Sequence, residues 1–281
     1  MKTLYLSDLD GTLLTPEACV SARTTEILYS LVQAGMTFSY ATARSFSTAK
    51  KVTAALGDLR LPVIVYNGEA IVDTADGSVL DAVYFTRDEV IHIRRVLEAA
   101  GLRPMVYSRA AAHVRRERVA YCALGCSRGL AYYLETRRGD ERLHAVDVET
   151  LYDGRIFYIT AIEDSREACA APYAALCADG RFHVLLQRDL YSDAYYFEIM
   201  PKAASKANAA KRLMTLCDCE RLVCFGDGEN DLSMFRIADA GYAVENAADV
   251  LKTAADAVIP SNREDGVARK LLALWATEQP E

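Results

Sequence analysis

The stretch TLYLSDLDGTLL, residues 3–14, decides the fold class that the sequence predicts. Its first half is a short apolar run that stops at Asp8 in a polar turn, which predicts a buried strand followed by a loop. Continuous apolar strands of this kind are typical of parallel sheets that are covered by helices on both faces. We therefore expect helices and further strands to alternate in the flanking sequence.

The flanking segments do alternate. An apolar helical pattern at 27–32 is followed by apolar runs at 36–41 and 62–66, and a hairpin is predicted over 69–80. The alternation of helices and strands resumes after Pro201. Its elements are a helix at 205–217, a strand at 221–225, a helix from about 232, a strand at 257–259 and a last helix carrying Val267, Leu271 and Trp275. These segments predict an α/β fold, a Rossmann-like doubly wound parallel sheet.

The middle of the chain has a different pattern. Thr86 and Glu89 have the spacing of a capping box, which predicts the start of a helix. The runs 155–162, 182–187 and 195–199 alternate in hydrophobicity, as strands with one buried face do in antiparallel sheets. This region is therefore predicted to be α+β.

The length of the chain agrees with two domains. Its 281 residues, at about 150 residues per domain, predict roughly two of them. We expect a discontinuous core domain formed by 1–83 and 196–281, with an inserted α+β domain at 84–195. A chain of this length can bury a sizeable core without disulfides or metals.

The composition excludes several classes of protein. A net charge of −7, from 39 acidic and 32 basic residues, argues against a nucleic-acid partner, since such partners are bound by neutralising phosphates. No apolar run reaches the roughly 18 residues of a membrane span, and residues 1–11 lack the apolar region of a secretory signal. The eight cysteines form no CxxC array, so neither a zinc module nor a disulfide scaffold is expected. Reduced thiols make the cytoplasm the expected compartment.

Polar side chains follow the predicted strands at one edge of the sheet, where open α/β folds bind their ligands. Asp8 and Asp10 follow the first strand, Thr42 follows the second, and the cluster GDGEND at 226–231 follows a later one. Lys206 opens a helix, whose N-terminal amides favour an anion. We expect these groups to converge on one crevice.

Converging carboxylates need a cation. Each pair of like charges 4 Å apart costs about 4 kcal/mol at an effective dielectric constant of 20. Oxygen ligands without histidine or cysteine favour a hard ion, which indicates Mg²⁺ as the cofactor. Mg²⁺ usually takes one or two carboxylates together with a substrate phosphate oxygen. The sequence therefore predicts a substrate that carries a phosphoryl group.

Each residue type has a chemical task at such a site. One carboxylate can attack phosphorus and form an aspartyl-phosphate, which divides a difficult displacement into two easier ones. Asp10, two residues along an extended chain, should point to the same side as Asp8. It can then protonate the leaving oxygen and later deprotonate the attacking water. Lys206 and the Thr42 hydroxyl can neutralise and orient the equatorial oxygens of the phosphoryl group.

The motifs resemble those of the haloacid dehalogenase superfamily of phosphohydrolases, and of its Cof-type branch in particular. The segment DLDGTLL at 8–14 resembles the first motif, and ATAR at 41–44 resembles the second. Lys206 resembles the lysine of the third motif, and GDGEND resembles the fourth. The 164 positions between Thr42 and Lys206 are similar to the gap that holds a mobile α+β cap in this branch.

The resemblance implies a role for each matching residue. The catalytic residues would be Asp8 as nucleophile, Asp10 as acid/base, Thr42 and Lys206. The phosphate-binding residues would be Thr42, Ala43, Lys206 and Asn230. The metal-binding residues would be Asp8, Asp10 through its main-chain carbonyl, Asp227 and the supporting Asp231. Ala43 stands where the family often has glycine, and a Cβ there is tolerated if φ is negative.

The expected activity is Mg²⁺-dependent hydrolysis of small phosphorylated metabolites, such as sugar phosphates or nucleotide-derived cofactors. No nucleic-acid or membrane partner is expected. There are two alternatives. One is a phosphotransferase or phosphomutase that uses the same intermediate, and the other is a regulator that binds a phosphometabolite without turnover. Arg44 is interpreted as an ion-pair partner in preference to a phosphate ligand, and Asn67-Gly68 as a turn in preference to a substrate contact.

Overall fold

The computed structural model describes residues 1–57, 59, 62–110, 117–189 and 193–278. Two compact units divide the chain. The first comprises Met1–Asp81 and Ser205–Glu281, and the second comprises Ala82–Ala204. No helix in the described part of the chain is long and apolar enough to cross a lipid bilayer.

The strands and helices are numbered along the chain. The strands are β1 (Thr3–Asp8), β2 (Thr37–Ala41), β3 (Pro62–Val65), β4 (Ala70–Asp73), β5 (Val79–Ala82), β6 (Met105–Arg109), β7 (Glu117–Tyr121), β8 (Leu143–Ala145), β9 (Arg155–Glu163), β10 (Phe182–Arg188), β11 (Tyr195–Pro201), β12 (Arg221–Gly226), β13 (Ala240–Val244) and β14 (Ala257–Ile259). The α-helices are α1 (Ala22–Gln33), α2 (Phe46–Val52), α3 (Arg87–Ala99), α4 (Arg128–Thr136), α5 (Arg166–Asp179), α6 (Lys206–Cys217), α7 (Leu232–Phe235), α8 (Asp249–Ala254) and α9 (Gly266–Glu278).

The first unit is built on an eight-stranded sheet in the order β14-β13-β12-β1-β2-β3-β4-β5. The strands from β14 to β3 are parallel, and β4 adds to β3 in the antiparallel sense. The α/β prediction is confirmed, with a parallel core extended by an antiparallel edge. This edge contains the predicted hairpin. Its turn is closed by hydrogen bonds that the backbone amides of Gly77 and Asp73 donate.

The central position of β1 explains its continuous apolar sequence. All six of its residues are buried, and its neighbours on either side are β12 and β2. Because β12, β1 and β2 are parallel, their carboxyl ends lie at the same edge of the sheet. Asp8 at the end of β1, Thr42 after β2 and Asp227 after β12 meet there.

The second unit is a six-stranded sheet in the order β10-β11-β9-β6-β7-β8. Its pairs are antiparallel except for the parallel pair of β7 and β8. Residues of α3 and α5 pack with residues of β6, β9 and β11 in one apolar cluster. The predicted capping box is present at the start of α3, where the hydroxyl of Thr86 accepts from the amide of Glu89 and the carboxylate of Glu89 accepts from the amide of Thr86.

The second unit extends beyond the predicted 84–195, to Ala204. The physical reason is β11, which pairs with β9 as far as Ile199 and with β10 as far as Pro201. A strand held by two neighbours belongs to their sheet, so the chain returns to the first unit only at Ser205.

Strands β6, β7 and β8 were not predicted from the sequence. The first two of these strands bury polar side chains, since Ser108 and Arg109 are 1% exposed and Glu117 is 9% exposed. The guanidinium of Arg109 donates to Glu117 at 3.3 Å across the pair. A strand whose buried positions are charged has no hydrophobic alternation, so its pattern could not be recognised.

Candidate active site

The candidate site begins where β1 ends. Asp8 is the last residue of β1 and is 5% exposed. The chain then enters a short helical turn, Leu9–Leu13, in which Gly11 has a φ of +79°. This turn redirects the backbone, so the alternation of side chains along β1 does not continue beyond Asp8.

Lys206 is the central cation of the site. It is the first residue of α6, whose cap is Ser205, with its hydroxyl accepting from the amide of Asn208 at 3.2 Å. The Lys206 side chain is 1% exposed, and its Nζ donates to Oδ1 of Asp8 and, at 2.7 Å, to Oδ1 of Asp231. The buried ammonium thus joins the loop after β1 to the loop after β12.

Asp231 fixes the loop after β12. Its Oδ2 accepts from the amides of Asp227 and Gly228, both at 3.1 Å, while its Oδ1 accepts from Lys206. A Cβ at Gly226 would lie 2.7 Å from Oδ2 of Asp231, so only glycine allows this close approach. Both oxygens of Asp231 are therefore used to position Lys206 and the loop.

Asp227 completes a group of three carboxylates. Its Oδ1 accepts from the hydroxyl of Thr12 at 2.9 Å. One carboxylate oxygen each from Asp8, Asp227 and Asp231 lies within 4.8 Å of the others. A set of oxygen donors at this spacing suits a hard divalent cation such as Mg²⁺.

The electrostatics of this group also favour a cation. Burial, together with the charges of Asp231 and Asp227, raises the pKa of Asp8 to about 8 against the opposing effect of Lys206. Burial also raises the pKa of Asp227. The pKa of Lys206 is raised by Asp8 and Asp231 although burial opposes this, so the ammonium stays protonated. One lysine does not fully compensate three carboxylates, and a divalent cation would favour their ionised forms.

Asp10 lies apart from this group. Both of its carboxylate oxygens accept from Arg44, at 2.7 Å from Nε and 2.6 Å from Nη2. Its side chain is 49% exposed, in contrast to that of Asp8. The structure therefore brings together Asp8, Asp227 and Asp231 but not the side chain of Asp10, because the turn after β1 directs it towards the loop after β2. The interpretation of Arg44 as an ion-pair partner agrees with this geometry.

Thr42 connects the ends of β2 and β3. It is fully buried, its amide donates to the carbonyl of Ile64 at 3.0 Å, and its hydroxyl accepts from the amide of Arg44 at 3.1 Å. Its carbonyl accepts from the amide of Asn67 at 2.9 Å. Ala43 is exposed and does not have a positive φ, so its Cβ fits the backbone.

The loop after β3 reaches both Asn230 and the start of α6. Asn67 has a φ of +53°, and its side-chain oxygen accepts from Nδ2 of Asn230 at 3.5 Å. A Cβ on Gly68 would lie 2.2 Å from the carbonyl oxygen of Ser205. Glycine at this position therefore allows the helix that carries Lys206 to approach the loop.

Two residues that support the site were not predicted from the sequence. One is Thr12, which donates to Asp227, although its hydroxyl within the DLDGT segment could have indicated such a role. The other is Asn246, whose Nδ2 donates to the carbonyl of Gly11 at 2.7 Å, and whose Oδ1 accepts from the amide of Asn262 at 3.1 Å. No local pattern indicated Asn246, because its partner is 235 positions away.

The chain is similar to known proteins over most of its length. The family model of haloacid dehalogenase-like hydrolases matches residues 5–271. A 5-amino-6-(5-phospho-D-ribitylamino)uracil phosphatase of Bacillus subtilis is 28% identical over 293 residues, covering 93% of this chain and 94% of the relative. An HMP-PP phosphatase of Serratia proteamaculans is 27% identical over 264 residues, covering 90% of this chain and 87% of the relative.

The fold is shared with solved structures as well. A haloacid dehalogenase-like hydrolase of Bacteroides thetaiotaomicron has a TM-score of 0.76 at 21% identity, over 98% of this chain and 100% of that structure. The α/β architecture, the carboxylate site and the family match over nearly the whole chain lead to one conclusion. The chain belongs to the haloacid dehalogenase-like hydrolase family and is a hydrolase of the phosphatase type.

Proposed function

We propose that this protein is a Mg²⁺-dependent phosphatase that hydrolyses small phosphorylated metabolites through an aspartyl-phosphate on Asp8. The observation that carries the proposal is the buried Lys206, held between Asp8 and Asp231, with Asp227 completing the carboxylate group. A nucleophile beside a fixed cation and a cation-binding group is the arrangement that attack on a phosphoryl dianion requires.

In the first step a carboxylate oxygen of Asp8 forms a bond to phosphorus, and the bond from phosphorus to the ester oxygen breaks. Asp10 gives its proton to that leaving oxygen, so the alcohol leaves in neutral form. In the second step Asp10 takes a proton from water as the water oxygen attacks phosphorus, which releases inorganic phosphate and restores Asp8. After the second step Asp10 is protonated again, as it was at the start of the first step.

The remaining residues stabilise the charge that develops. Lys206 and the buried hydroxyl of Thr42 orient and neutralise phosphoryl oxygens, and Asn230 with the backbone at Ala43 contacts the same group. Asp8, Asp227 and the main-chain carbonyl of Asp10 would hold Mg²⁺, with Asp231 supporting them. When bound, the ion supplies Lewis-acid stabilisation of the phosphoryl charge.

The substrate class is proposed from the relatives. Two of them are named as phosphatases of small phosphorylated metabolites, which supports sugar phosphates or related phosphomonoesters as substrates here.

All of the predicted site residues lie in the first unit. We propose that the second unit is the cap that supplies substrate specificity. The cytoplasm is the proposed compartment, consistent with eight cysteines that are all free thiols.

The test is a phosphate-release assay with Mg²⁺ against a panel of phosphorylated metabolites. Release of inorganic phosphate, and acid-stable labelling of Asp8 after a rapid quench, would support the proposal. An isomerised phosphosugar in place of phosphate would indicate a mutase. Binding without any turnover across the panel would indicate a regulator and contradict the proposal.

Removal of divalent cations is expected to abolish activity. EDTA should lower phosphate release by at least about 100-fold, and added Mg²⁺ should restore it, because the carboxylate group then regains its counter-charge. Mg²⁺ at 100 times its dissociation constant should also stabilise the fold by about 2.7 kcal/mol, read as a shift in melting temperature. Asp227→Asn should greatly reduce this shift. Full activity in EDTA would exclude the metal dependence.

Replacing Gly11 with alanine is expected to impair the site directly. The new Cβ would lie 2.3 Å from Oδ2 of Asp227, at a φ of +79°. We expect phosphate release to fall by about 100-fold, since catalysis is sensitive to displacements of about 1 Å. Gly101→Ala is the matched control, because Gly101 has a φ of +70° and no atom within 4 Å of the new Cβ. The control should lose about 1–3 kcal/mol of stability and keep its activity. Equal activity losses in both variants would refute the role assigned to Gly11.

A further inference from the structure

The ion pair of Arg44 and Asp10 differs from the ion pairs of Lys206. The Lys206 side chain is 1% exposed and is held by two buried carboxylates. The side chains of Arg44 and Asp10 are 29% and 49% exposed. Exposed ion pairs are weak, because water competes for both partners. The site therefore contains one enclosed cation and one partly exposed cation that a second anion can reach.

The observed pairing leaves Asp10 unable to act in proton transfer. Arg44 donates to both oxygens of the carboxylate, in a fork that matches the two acceptors. An acid that protonates a leaving oxygen needs one of these oxygens to carry a proton and face the substrate. The pair must consequently open before Asp10 performs the role proposed above.

The anchoring of Arg44 allows such an opening. Its amide donates to the hydroxyl of Thr42 at 3.1 Å, and its carbonyl accepts from the amide of Tyr66 at 3.0 Å. The backbone is thus fixed beside Thr42, while the guanidinium is carried by a flexible stem. The guanidinium is bonded to Asp10, which lies two residues from the nucleophile Asp8.

A phosphoryl group is the competitor that the site chemistry provides. The guanidinium fork binds phosphate oxygens with the same geometry as it binds a carboxylate. A phosphoryl dianion carries more charge than Asp10, and it would be attached to Asp8 or lie next to it. Lys206 already has two carboxylate partners. Beside Lys206 and Mg²⁺, Arg44 is a further cation at this site, since it contacts both Thr42 and Asp10.

We propose that Arg44 exchanges partners during the reaction. In the free protein it pairs with the ionised Asp10 carboxylate. When the phosphoryl group binds, Arg44 moves to a phosphoryl oxygen, and the released Asp10 takes up a proton from water before it acts as the acid. This inference rests on the proposed function. It assigns Arg44 as a substrate-binding residue and makes the availability of Asp10 dependent on an occupied site.

Two crystal structures of the Mg²⁺-loaded protein, with and without inorganic phosphate, test the exchange. Without phosphate, Arg44 should pair with Asp10. With phosphate, a guanidinium nitrogen should lie within about 3.2 Å of a phosphate oxygen, and both bonds to Asp10 should be broken. A phosphate complex that retains the Arg44–Asp10 pair overturns the exchange.

Phosphate affinity provides a second measurement. Arg44→Ala should raise the dissociation constant of inorganic phosphate by roughly 10- to 100-fold, and Arg44→Lys, which keeps the charge, by less. Arg94→Ala removes an exposed arginine paired with Glu98 in α3 and should change the affinity by less than about twofold. Unchanged affinity in Arg44→Ala overturns the exchange. If the wild-type protein still hydrolyses phosphomonoesters in that case, the proposed function stands without it.

Discussion

Replacing Asp8 with asparagine is expected to lower phosphate release by at least about 10⁴-fold. An amide cannot attack phosphorus, so the covalent step is lost, while its oxygen can still accept from Lys206. The measurement is the turnover of p-nitrophenyl phosphate with Mg²⁺ present, together with a thermal melt. Glu229→Gln is the matched control, because this exposed carboxylate lies in the loop after β12 and has no assigned role. It should keep activity within about threefold. Substantial turnover in Asp8→Asn would exclude Asp8 as the nucleophile.

The same variant should change how stability depends on pH. The folded, metal-free chain has an Asp8 pKa of about 8, above the ordinary 3.8, because the carboxyl group is buried. Between these values the folded state holds a proton that the unfolded state has lost, so this group's contribution to stability falls as pH rises. Asparagine does not titrate. The melting temperature of Asp8→Asn should therefore depend less on pH in this window than that of the wild-type protein.

Replacing Lys206 with methionine is expected to cause the largest loss of stability. It would leave Asp8 and Asp231, whose side chains are 7% and 0% exposed, without their shared cation. Removing one partner of a buried ion pair typically costs about 3–5 kcal/mol. For a chain of this size, each kcal/mol lost from the free energy of unfolding lowers the melting temperature by about 2–4 °C. The melting temperature should therefore fall by roughly 6–20 °C. Phosphate release should fall to background as well.

Two further variants separate the buried charge from general effects on α6. Lys211→Met changes an exposed lysine of the same helix and should alter stability by less than about 0.5 kcal/mol. Combining Lys206→Met with Asp231→Asn removes one of the two unpaired carboxylates and should recover part of the stability, without recovering activity. If Lys206→Met melts as the wild-type protein does, the buried cation does not hold the loops after β1 and β12 together.

Much of the core fold could be predicted because it depends on local patterns. The apolar run at 3–7 identifies a strand buried on both faces, and parallel strands bring their carboxyl ends to one edge. These two facts are enough to predict that Asp8, Thr42 and Asp227 lie at the same edge of the sheet. Lys206 could be assigned to the same site because it lies at the start of a helix, which is the part of a helix that binds anions.

The parts that could not be predicted depend on long-range contacts. The polar side chains of β6 and β7 are buried because they pair across strands, so their alternation is not hydrophobic. The partner of Asn246 is the carbonyl of Gly11, and no sequence pattern specifies such a contact. The extent of the second unit depends on the pairing of β11 with its neighbours.

The sequence by itself determined the parallel α/β core and the residue types of the site, since hydrophobic periodicity and motif order are properties of the chain alone. The directions of the side chains were decided only in the folded molecule. The helical turn of Leu9–Leu13 ends the alternation of β1, and Asp10 pairs with Arg44 instead of joining Asp8. Asp231 binds two amides of its own loop and Lys206. Such pairings depend on which loops meet at the sheet edge, and this is a property of tertiary packing.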